Sequence, residues 1–213
     1  MDINLIHSDG IVPVVTLESA EDAVPVAEAF LAGDVHTAEV TFRTAAAPEA
    51  IRRLANRGSG ICVGAGTVMN TDQCKQALDM GAQFIVSAGL SDSVVRYCLE
   101  QGVPVLPGCA TPTEIMHAME LGLDIVKFFP ADLYGGLRAI KALSAPFRTV
   151  KFMPTGGINA SNLAEFIACP AIFAVGGSWL CAKKDVENRR FDEITRLCAE
   201  GRAVVRSVRG ESL

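Results

Sequence analysis

The chain has 213 residues, of which 50% are hydrophobic and 20% are charged. That length suits one well-buried domain, and that composition excludes a disordered chain or a coiled coil. The 19 basic and 24 acidic side chains give a net charge of −5 without a run of like charges, which argues against a nucleic-acid partner. We therefore expect a single domain over residues 1–213.

The sequence predicts neither export nor membrane insertion. The first ten residues lack the basic and apolar regions of a secretory signal. The longest uncharged stretch, residues 166–182, holds a proline and two glycines and is shorter than the ~20 apolar residues of a spanning helix. We therefore expect a cytoplasmic protein with no membrane partner.

The spacing of cysteines and histidines predicts no metal site. Seven cysteines occur without a CxxC pair, and three histidines occur without HxxxH or HExxH spacing. In a reducing compartment such cysteines are typically free and buried. We expect buried free thiols and no bound metal.

Eight short apolar runs rich in valine, isoleucine and phenylalanine recur at a nearly constant interval and predict eight strands. In chain order they cover residues 11–15, 37–42, 61–65, 84–87, 103–106, 125–129, 150–153 and 172–175. Stretches of helical period predict helices over residues 19–31, 48–56, 71–80, 91–100, 111–121, 136–143, 161–167 and 191–205. Several of these helices begin at a serine or threonine that can cap them.

Strands that alternate with helices predict right-handed βαβ units and a parallel sheet. Eight such units can form an open doubly wound sheet or a closed (β/α)8 TIM barrel. The even spacing and single-domain length favour the barrel, in which the chemistry lies at the carboxyl ends of the strands. Residues 1–10, an extension or a short helix, and the tail 206–213 carry no chemistry that we can identify.

The second predicted strand carries a carboxylate on a polar face. Because side chains alternate along a strand, residues 37, 39, 41 and 43 share one face, and the apolar residues between them share the other. If the apolar face packs on helices, Glu39 points into the barrel, where a carboxylate is costly unless it is paired or functional. Glu39 is thus a candidate catalytic group, with a structural ion pair as the alternative.

The sixth predicted strand carries Lys127 among branched and aromatic side chains. An unperturbed lysine has a pKa of about 10.4 and is almost entirely charged at pH 7. Apolar walls or a neighbouring cation lower the pKa of a lysine and prepare its amine to attack a carbonyl carbon. Lys127 is therefore a candidate Schiff-base nucleophile, with a structural pair to Glu39 as the alternative. Lys151 on the seventh strand is a rival that alternation does not exclude.

Glycine pairs follow the last two predicted strands, at residues 156–157 and 176–177. Barrel enzymes often bind phosphate with the loops after strands seven and eight, where glycine lets backbone N–H groups approach the ligand closely. Two pairs at these two strands predict a phosphate site. Thr67, just after the third strand, adds a hydroxyl at the same rim.

Six motifs occur in order along the chain: EVTFRT at 39–44, GAGTV at 64–68, PG at 107–108 with TPTE at 111–114, KFFPA at 127–131, PTGGI at 154–158 and GGSW at 176–179. Together they resemble the bacterial 2-keto-3-deoxy-6-phosphogluconate (KDPG) aldolase family, which includes 4-hydroxy-2-oxoglutarate (KHG) aldolases. The resemblance runs from about residue 11 to residue 205. Each motif is short, but the set is highly specific.

The resemblance implies a metal-free class I aldolase on a (β/α)8 barrel that assembles as a homotrimer. By the family's pattern Lys127 is the Schiff-base lysine, which decides between the two lysines, and Glu39 is the general acid/base. Arg43 and Thr67 bind the pyruvate carboxylate, and Phe129 belongs to the substrate-binding residues. The phosphate end is lined by Thr155, Gly156, Gly157, Gly176, Gly177 and Ser178.

The implied reaction, a step of the Entner–Doudoroff pathway, cleaves KDPG to pyruvate and glyceraldehyde 3-phosphate. KHG, cleaved to pyruvate and glyoxylate, is a further implied substrate, and the covalent lysine imine replaces a cofactor. One departure is Ala88, where the family usually has proline; we expect it to alter affinity or substrate preference more than mechanism. Two alternatives stay open, a phosphosugar isomerase or synthase without a lysine imine and a non-catalytic phosphometabolite-binding protein.

Overall fold

The structure, a computed structural model, describes residues 3–56 and 60–210, within which eight strands alternate with helices. The strands are β1 (Ile11–Val15), β2 (Thr37–Thr41), β3 (Cys62–Gly66), β4 (Ile85–Val86), β5 (Val105–Leu106), β6 (Ile125–Phe128), β7 (Lys151–Pro154) and β8 (Val175–Gly177). The α-helices are α1 (Asn4–Asp9), α2 (Ala23–Ala32), α3 (Ala47–Ala55), α4 (Thr71–Asp79), α5 (Asp92–Glu100), α6 (Pro112–Glu120), α7 (Gly136–Ser144), α8 (Leu163–Ile167), α9 (Lys183–Glu187) and α10 (Phe191–Arg209). Short 3-10 helices cover Ala20–Asp22 and Ser178–Cys181.

The strands pair in parallel in two groups. Six form one sheet in the order β5-β4-β3-β2-β1-β8, and β6 pairs with β7. Isolated parallel bridges join the groups on both sides, from Gly108 to Lys127 on one side and from Thr155 to Gly176 on the other. The predicted parallel α/β class is confirmed, and successive strands lie next to one another in space.

The strands are buried on both faces. The outer faces and the helices form the larger apolar cluster, to which Val40 and Phe30 belong. A second cluster lies inside the sheet, where Val12 of β1, Leu106 of β5 and Met153 of β7 meet. The sheet therefore curves around this inner cluster. Burial on both faces explains why the strands read as continuous apolar runs.

Local sequence signals set several helix starts. Thr111 and Glu114 form a capping box at α6, in which each side chain accepts a hydrogen bond from the other residue's backbone N–H. Asn70 caps α4, because its side chain accepts from the N–H of Gln73 at 2.9 Å. The predicted strand 11–15 coincides with β1, and the other predicted strands and helices overlap the observed ones at shifted boundaries.

Two predicted boundaries are wrong at the chain's last elements. Helix α10 continues to Arg209, so residues 206–209 are helical and not tail; Arg206 donates to Asp34 Oδ2 at 2.6 Å and holds this end of the helix. Strand β8 begins at Val175 and not at residue 172, because Ile172 makes only an isolated bridge. Helix α9 and the second 3-10 helix were not predicted. Residues 211–213 of the predicted tail lie outside the described residues.

The segment predicted as an extension or short helix is helix α1, apart from residues 1–2, which lie outside the described residues. Ile6 of α1 is fully buried in the inner cluster, so this helix covers the amino ends of the strands. The seven cysteines are buried free thiols, as predicted. No helix in residues 3–56 and 60–210 has the length and apolar character to cross a membrane.

Candidate active site

Lys127 is held in place by its backbone on strand β6. Its N–H donates to Pro107 O at 2.9 Å, and its carbonyl accepts from the N–H of Cys109 at 2.8 Å. On the other side it pairs with Met153 of β7. The residue is only 4% exposed. These bonds fix the direction in which the lysine side chain leaves the strand.

Lys127 meets Glu39 inside the sheet. Lys127 Nζ donates to Glu39 Oε1 at 3.1 Å, although the two residues are 88 positions apart in the chain. Glu39 is fully buried. Its second oxygen, Oε2, is also buried and has no hydrogen-bond partner among the described residues. The predicted inward direction of Glu39 is confirmed, and Ala38 and Val40 pack outward against the helices.

A glycine on strand β3 makes room for the carboxylate. Gly66 pairs with Thr41 of β2, two positions beyond Glu39. A Cβ atom at Gly66 would lie 2.1 Å from Glu39 Oε1, which no real contact permits. The GAGTV motif therefore contributes space for the Glu39 side chain as well as the hydroxyl of Thr67.

Phe129 borders the lysine, and the adjacent Phe128 does not. Lys127 Nζ lies 5.3 Å from the centroid of the half-buried Phe129 ring, a distance typical of a cation–π contact. Phe128 is fully buried and meets Phe152 edge-on at 6.4 Å in the outer core. The alternation of faces along β6 thus assigns one phenylalanine to the site and one to the core.

Thr155 supplies a second unpaired polar atom. It follows β7, donates its N–H to Phe128 O at 3.0 Å and bridges to Gly176 of β8. Its Oγ1 is buried and has no hydrogen-bond partner in the described part of the chain. A Cβ atom at Gly176 would lie 2.1 Å from this oxygen. Glycine at position 176 therefore leaves room on β8 for the Thr155 hydroxyl.

The turn after Thr155 presents free backbone donors. Gly156 and Gly157 have φ values of +102° and +74°, which side chains other than glycine rarely adopt. Within residues 3–56 and 60–210 the N–H groups of these two glycines donate to no acceptor. Ser178 is exposed and opens the 3-10 helix directly after Gly177. Consecutive free N–H groups of this kind form a concave site for an anion.

Arg43 and Thr67 lie just beyond the ends of β2 and β3. Arg43 is exposed and forms no ion pair with any residue that the structure describes. Thr67 is half-buried with φ of 56°, an unusual conformation for a β-branched residue. The described residues show no hydrogen bond from either side chain to Lys127. Strain of this kind at a strand end is frequent at functional sites.

Lys151 lies away from this site. It is the first residue of β7 and pairs with Ile125 at the amino end of β6. Its side chain is exposed and donates to Pro170 O at 2.8 Å. Of the two lysines that the residue pattern left as candidate nucleophiles, only Lys127 contacts Glu39.

A pair of hydroxyl groups beside Glu39 was not predicted from the sequence. Thr16 Oγ1 and Thr41 Oγ1 lie 2.8 Å apart, and Thr41 is fully buried two positions beyond Glu39 on the same strand. The register that pairs Val14 with Glu39 sets Thr16 opposite Thr41. A threonine at the end of the first strand was the available signal. Its pairing with Thr41 could be recognised only from the register of β1 against β2.

Ser87 and Cys109 follow strands β4 and β5. The Ser87 hydroxyl, 2% exposed, donates to Gly89 O at 2.7 Å and closes the turn at the exposed Ala88. Burial, assisted by Glu114, raises the pKa of the Cys109 thiol to about 12, so this cysteine stays protonated. In the described ranges, no cluster of three or more histidine, cysteine or acidic side chains is arranged to hold a metal ion.

Comparison with known proteins places these residues in one family. A family model described as KDPG and KHG aldolase matches residues 3–197. The 2-dehydro-3-deoxy-phosphogluconate aldolase of Treponema pallidum (strain Nichols) is 46% identical over 195 residues, 92% of this chain and 93% of that protein. The KHG/KDPG aldolase of Escherichia coli (strain K12) is 40% identical over 197 residues, 92% of each chain.

A solved structure shows the same relationship. The KDPG aldolase of Legionella pneumophila, with pyruvate captured as a covalent carbinolamine intermediate, superposes with a TM-score of 0.88 at 37% identity. The superposition covers 92% of this chain and 95% of that one. The match extends over nearly the whole described chain, including the strands that carry Lys127 and Glu39. This chain belongs to the KDPG and KHG aldolase family.

Proposed function

We propose that this chain is a class I aldolase that cleaves KDPG to pyruvate and glyceraldehyde 3-phosphate and cleaves KHG to pyruvate and glyoxylate. The observation that carries the proposal is the 3.1 Å contact between the buried Lys127 amine and Glu39. A nucleophile within hydrogen-bond reach of a base is the arrangement that covalent catalysis requires. The chain's own lysine supplies the electron sink, so the proposed reaction uses no cofactor.

The first step forms the imine. The Lys127 proton passes to Glu39 along the existing hydrogen bond, which leaves a neutral amine. The amine adds to the C2 ketone of the substrate. Glu39 gives this proton to the C2 oxygen, which becomes a hydroxyl. Glu39 then takes a second proton from the nitrogen and delivers it to the hydroxyl, which leaves as water. The product is a protonated imine on Lys127.

The second step breaks the C3–C4 bond. A base removes the proton of the C4 hydroxyl, the bond electrons move to the imine nitrogen, and the aldehyde departs from an enamine. Glu39 Oε2 is suited to this proton because it is buried and unpaired among the described residues. Protonation of the enamine at C3 and hydrolysis of the imine then release pyruvate and restore Lys127.

Arg43 and Thr67 hold the carboxylate of the keto acid. The guanidinium of Arg43 can donate two parallel hydrogen bonds to a carboxylate. Because Arg43 has no ion-pair partner in the described ranges, the substrate carboxylate would not have to compete with another acidic group. Thr67 adds a hydroxyl from the end of the neighbouring strand β3. Phe129 covers the reacting amine from the side of β6.

The glycine turns after β7 and β8 bind the phosphate of KDPG. Free N–H groups at Gly156 and Gly157, the buried hydroxyl of Thr155 and the exposed Ser178 offer uncharged donors to a dianion. Gly176 and Gly177 complete this end, where a Cβ atom would overlap the side chain of Thr155 or Trp179. KHG has no phosphate and would leave this end empty, so the keto-acid half is the part that both substrates share.

We further infer that the eight strands close into a single-domain (β/α)8 barrel and that the chain forms a homotrimer. Bridges on both sides of the β6–β7 pair and the apolar cluster inside the sheet support the barrel. Family membership supports the trimer. Native mass spectrometry of the purified protein should give three times the chain mass. A monomer or dimer at micromolar concentration would contradict the trimer.

Borohydride trapping tests the proposed function. The protein is incubated with pyruvate, reduced with borohydride and weighed intact; we expect the mass of one reduced pyruvate on Lys127. Lys127→Ala should take up none, whereas the matched variant Lys151→Ala should label like the parent. A parent that gains no mass, or a Lys127→Ala variant that labels fully, would leave an imine-free isomerase or a binding protein as the better account.

A further inference from the structure

A pair of buried cysteines lies outside the site described above. Cys74 on α4 and Cys98 on α5 are both fully buried, and their Sγ atoms are 3.4 Å apart. The two helices pack side by side over the strands that precede them. The fold itself therefore brings the two sulfurs into contact. Nothing in the proposed aldolase mechanism uses this contact.

We propose that Cys74 and Cys98 form a reversible dithiol–disulfide site whose oxidant is a small peroxide. Both cysteines lie on regular helices, and the two helices are adjacent. Formation of the S–S bond requires the two sulfur atoms to approach from 3.4 Å to about 2.05 Å. Because both thiols are fully buried, entry of the oxidant also requires a local and transient separation of the two helices.

The chemistry balances with hydrogen peroxide. The Cys74 thiolate attacks one peroxide oxygen, the O–O bond breaks, and hydroxide leaves and takes up a proton as water. Cys98 then attacks the sulfenic sulfur of Cys74, the S–S bond forms, and the second hydroxide leaves as water. Two thiols and one peroxide give one disulfide and two waters, so sulfur is oxidised and the peroxide is reduced.

The local electrostatics assign the roles of the two sulfurs. The hydrogen bond between the two sulfurs lowers the pKa of the Cys74 thiol, whereas this bond and burial raise the pKa of Cys98. Cys74 is therefore the attacking sulfur and Cys98 the resolving one. Hydrogen peroxide has only two heavy atoms, so a local separation of α4 and α5 admits it without global unfolding.

The disulfide stabilises the folded chain. It would link residues 24 positions apart and so restrict the unfolded chain. For a chain of this length we expect the melting temperature to rise by about 10 °C, less any strain in the bond. Because α4 and α5 follow β3 and β4 directly, the crosslink joins two neighbouring βα units of the sheet.

Peroxide titration with mass spectrometry tests the proposal. The full chain is reduced, freed of reductant, treated with a small excess of hydrogen peroxide and quenched with a thiol-alkylating reagent. We expect the loss of two hydrogens, a crosslink between Cys74 and Cys98 in the peptide map, a higher melting temperature, and reversal of all three by dithiothreitol. An unchanged mass, or a crosslink between other cysteines, would overturn the proposal without the need for any variant.

Matched variants make the assignment specific. Cys74→Ala and Cys98→Ala should each abolish the two-hydrogen loss, and either one suffices if the other fails to fold. Cys109→Ala is the control, since its thiol is equally buried but donates to Glu114 O at 3.8 Å, and it should oxidise like the parent. Persistence of the two-hydrogen loss in either Cys74→Ala or Cys98→Ala would overturn the proposal.

Discussion

Buried charged groups lie at both ends of the strands, and their surroundings differ. At the amino ends, the Asp9 carboxylate accepts from the N–H of His36 at 2.7 Å and from Thr37 Oγ1 at 2.9 Å. Arg202 on α10 donates to the carbonyls of Ser8 at 2.8 Å and Asp9 at 2.6 Å. Asp9 and Arg202 are 2% and 6% exposed, so this amino-end cluster is both buried and fully engaged in hydrogen bonds.

Toward the carboxyl ends, the Lys127–Glu39 pair is equally buried but incompletely satisfied. One Glu39 oxygen and the Thr155 hydroxyl have no partner among the described residues. A buried polar atom without a hydrogen bond costs about 1–3 kcal/mol of folding free energy. The amino-end cluster therefore stabilises the fold, whereas the Lys127–Glu39 pair gives up stability and keeps polar atoms available for a substrate.

Removal of the lysine is expected to have the largest effect. Lys127→Met keeps much of the side-chain volume but removes the nucleophile, so cleavage of KDPG should fall by at least about 10⁴-fold. The measurement is pyruvate release in a coupled assay. Lys151→Met should retain the parent kcat because Lys151 is exposed and bonds only to Pro170 O among its described contacts. Comparable losses in the two variants would contradict the account.

Glu39→Gln separates binding from proton transfer. The amide cannot accept the Lys127 proton or deliver one to the C2 hydroxyl, so kcat should fall by about 10²- to 10⁴-fold. Slow imine formation should still be detectable by borohydride trapping after long incubation with pyruvate. An unchanged cleavage rate would remove Glu39 from the mechanism and make its contact with Lys127 purely structural.

A substitution in the amino-end cluster should lower the stability of the protein and leave the rate of cleavage unchanged. Arg202→Met leaves two buried backbone carbonyls without their donor and is expected to lower the free energy of unfolding by about 3 kcal/mol, measured in urea. Its kcat should match that of the parent. Arg196→Met is the control, because its ion pairs on α10 are exposed and contribute at most about 1 kcal/mol. A large loss of kcat in Arg202→Met would contradict the proposed difference between the amino-end cluster and the Lys127–Glu39 pair.

The smallest effect is expected at an exposed histidine. His117 Nε2 donates to Asp92 Oδ1 at 2.6 Å, and this bond, followed by that to Glu120, raises the pKa of His117 above 6.5. The stabilisation is therefore complete below pH 6.5 and is lost as the pH rises through the higher pKa of the folded state. The melting temperature of the parent should drop slightly more between about pH 5.5 and pH 8.5 than that of His117→Gln. Equal decreases in the two melting temperatures would show that the His117–Asp92 pair contributes nothing to stability.

The sequence could predict which face of a strand each residue occupies. Alternation along β2 placed Glu39 inside and Val40 outside, and both placements are confirmed. The alternation of faces could not choose between Lys127 and Lys151. It indicates which face of a strand a residue occupies, but not how far along the strand the residue lies relative to the neighbouring strands. The structure separates them by register, since Lys151 is the first residue of β7 and Lys127 the third of β6.

Contacts between distant segments were beyond the residue pattern. The Thr16–Thr41 hydroxyl pair depends on the register of β1 against β2. The extension of α10 to Arg209 depends on Arg206 reaching Asp34 across the molecule. The hydroxyl pair has no local signal in the sequence. The end of α10 does have one, because Gly210 follows the helix in the left-handed conformation.

A crystal structure of the protein soaked in pyruvate tests the central claim most directly. We expect continuous density from Lys127 Nζ to C2 of pyruvate, with Glu39 within hydrogen-bond reach and the carboxylate at Arg43 and Thr67. Pyruvate bound in the sheet with Lys127 Nζ still free and bonded to Glu39 would contradict a covalent mechanism.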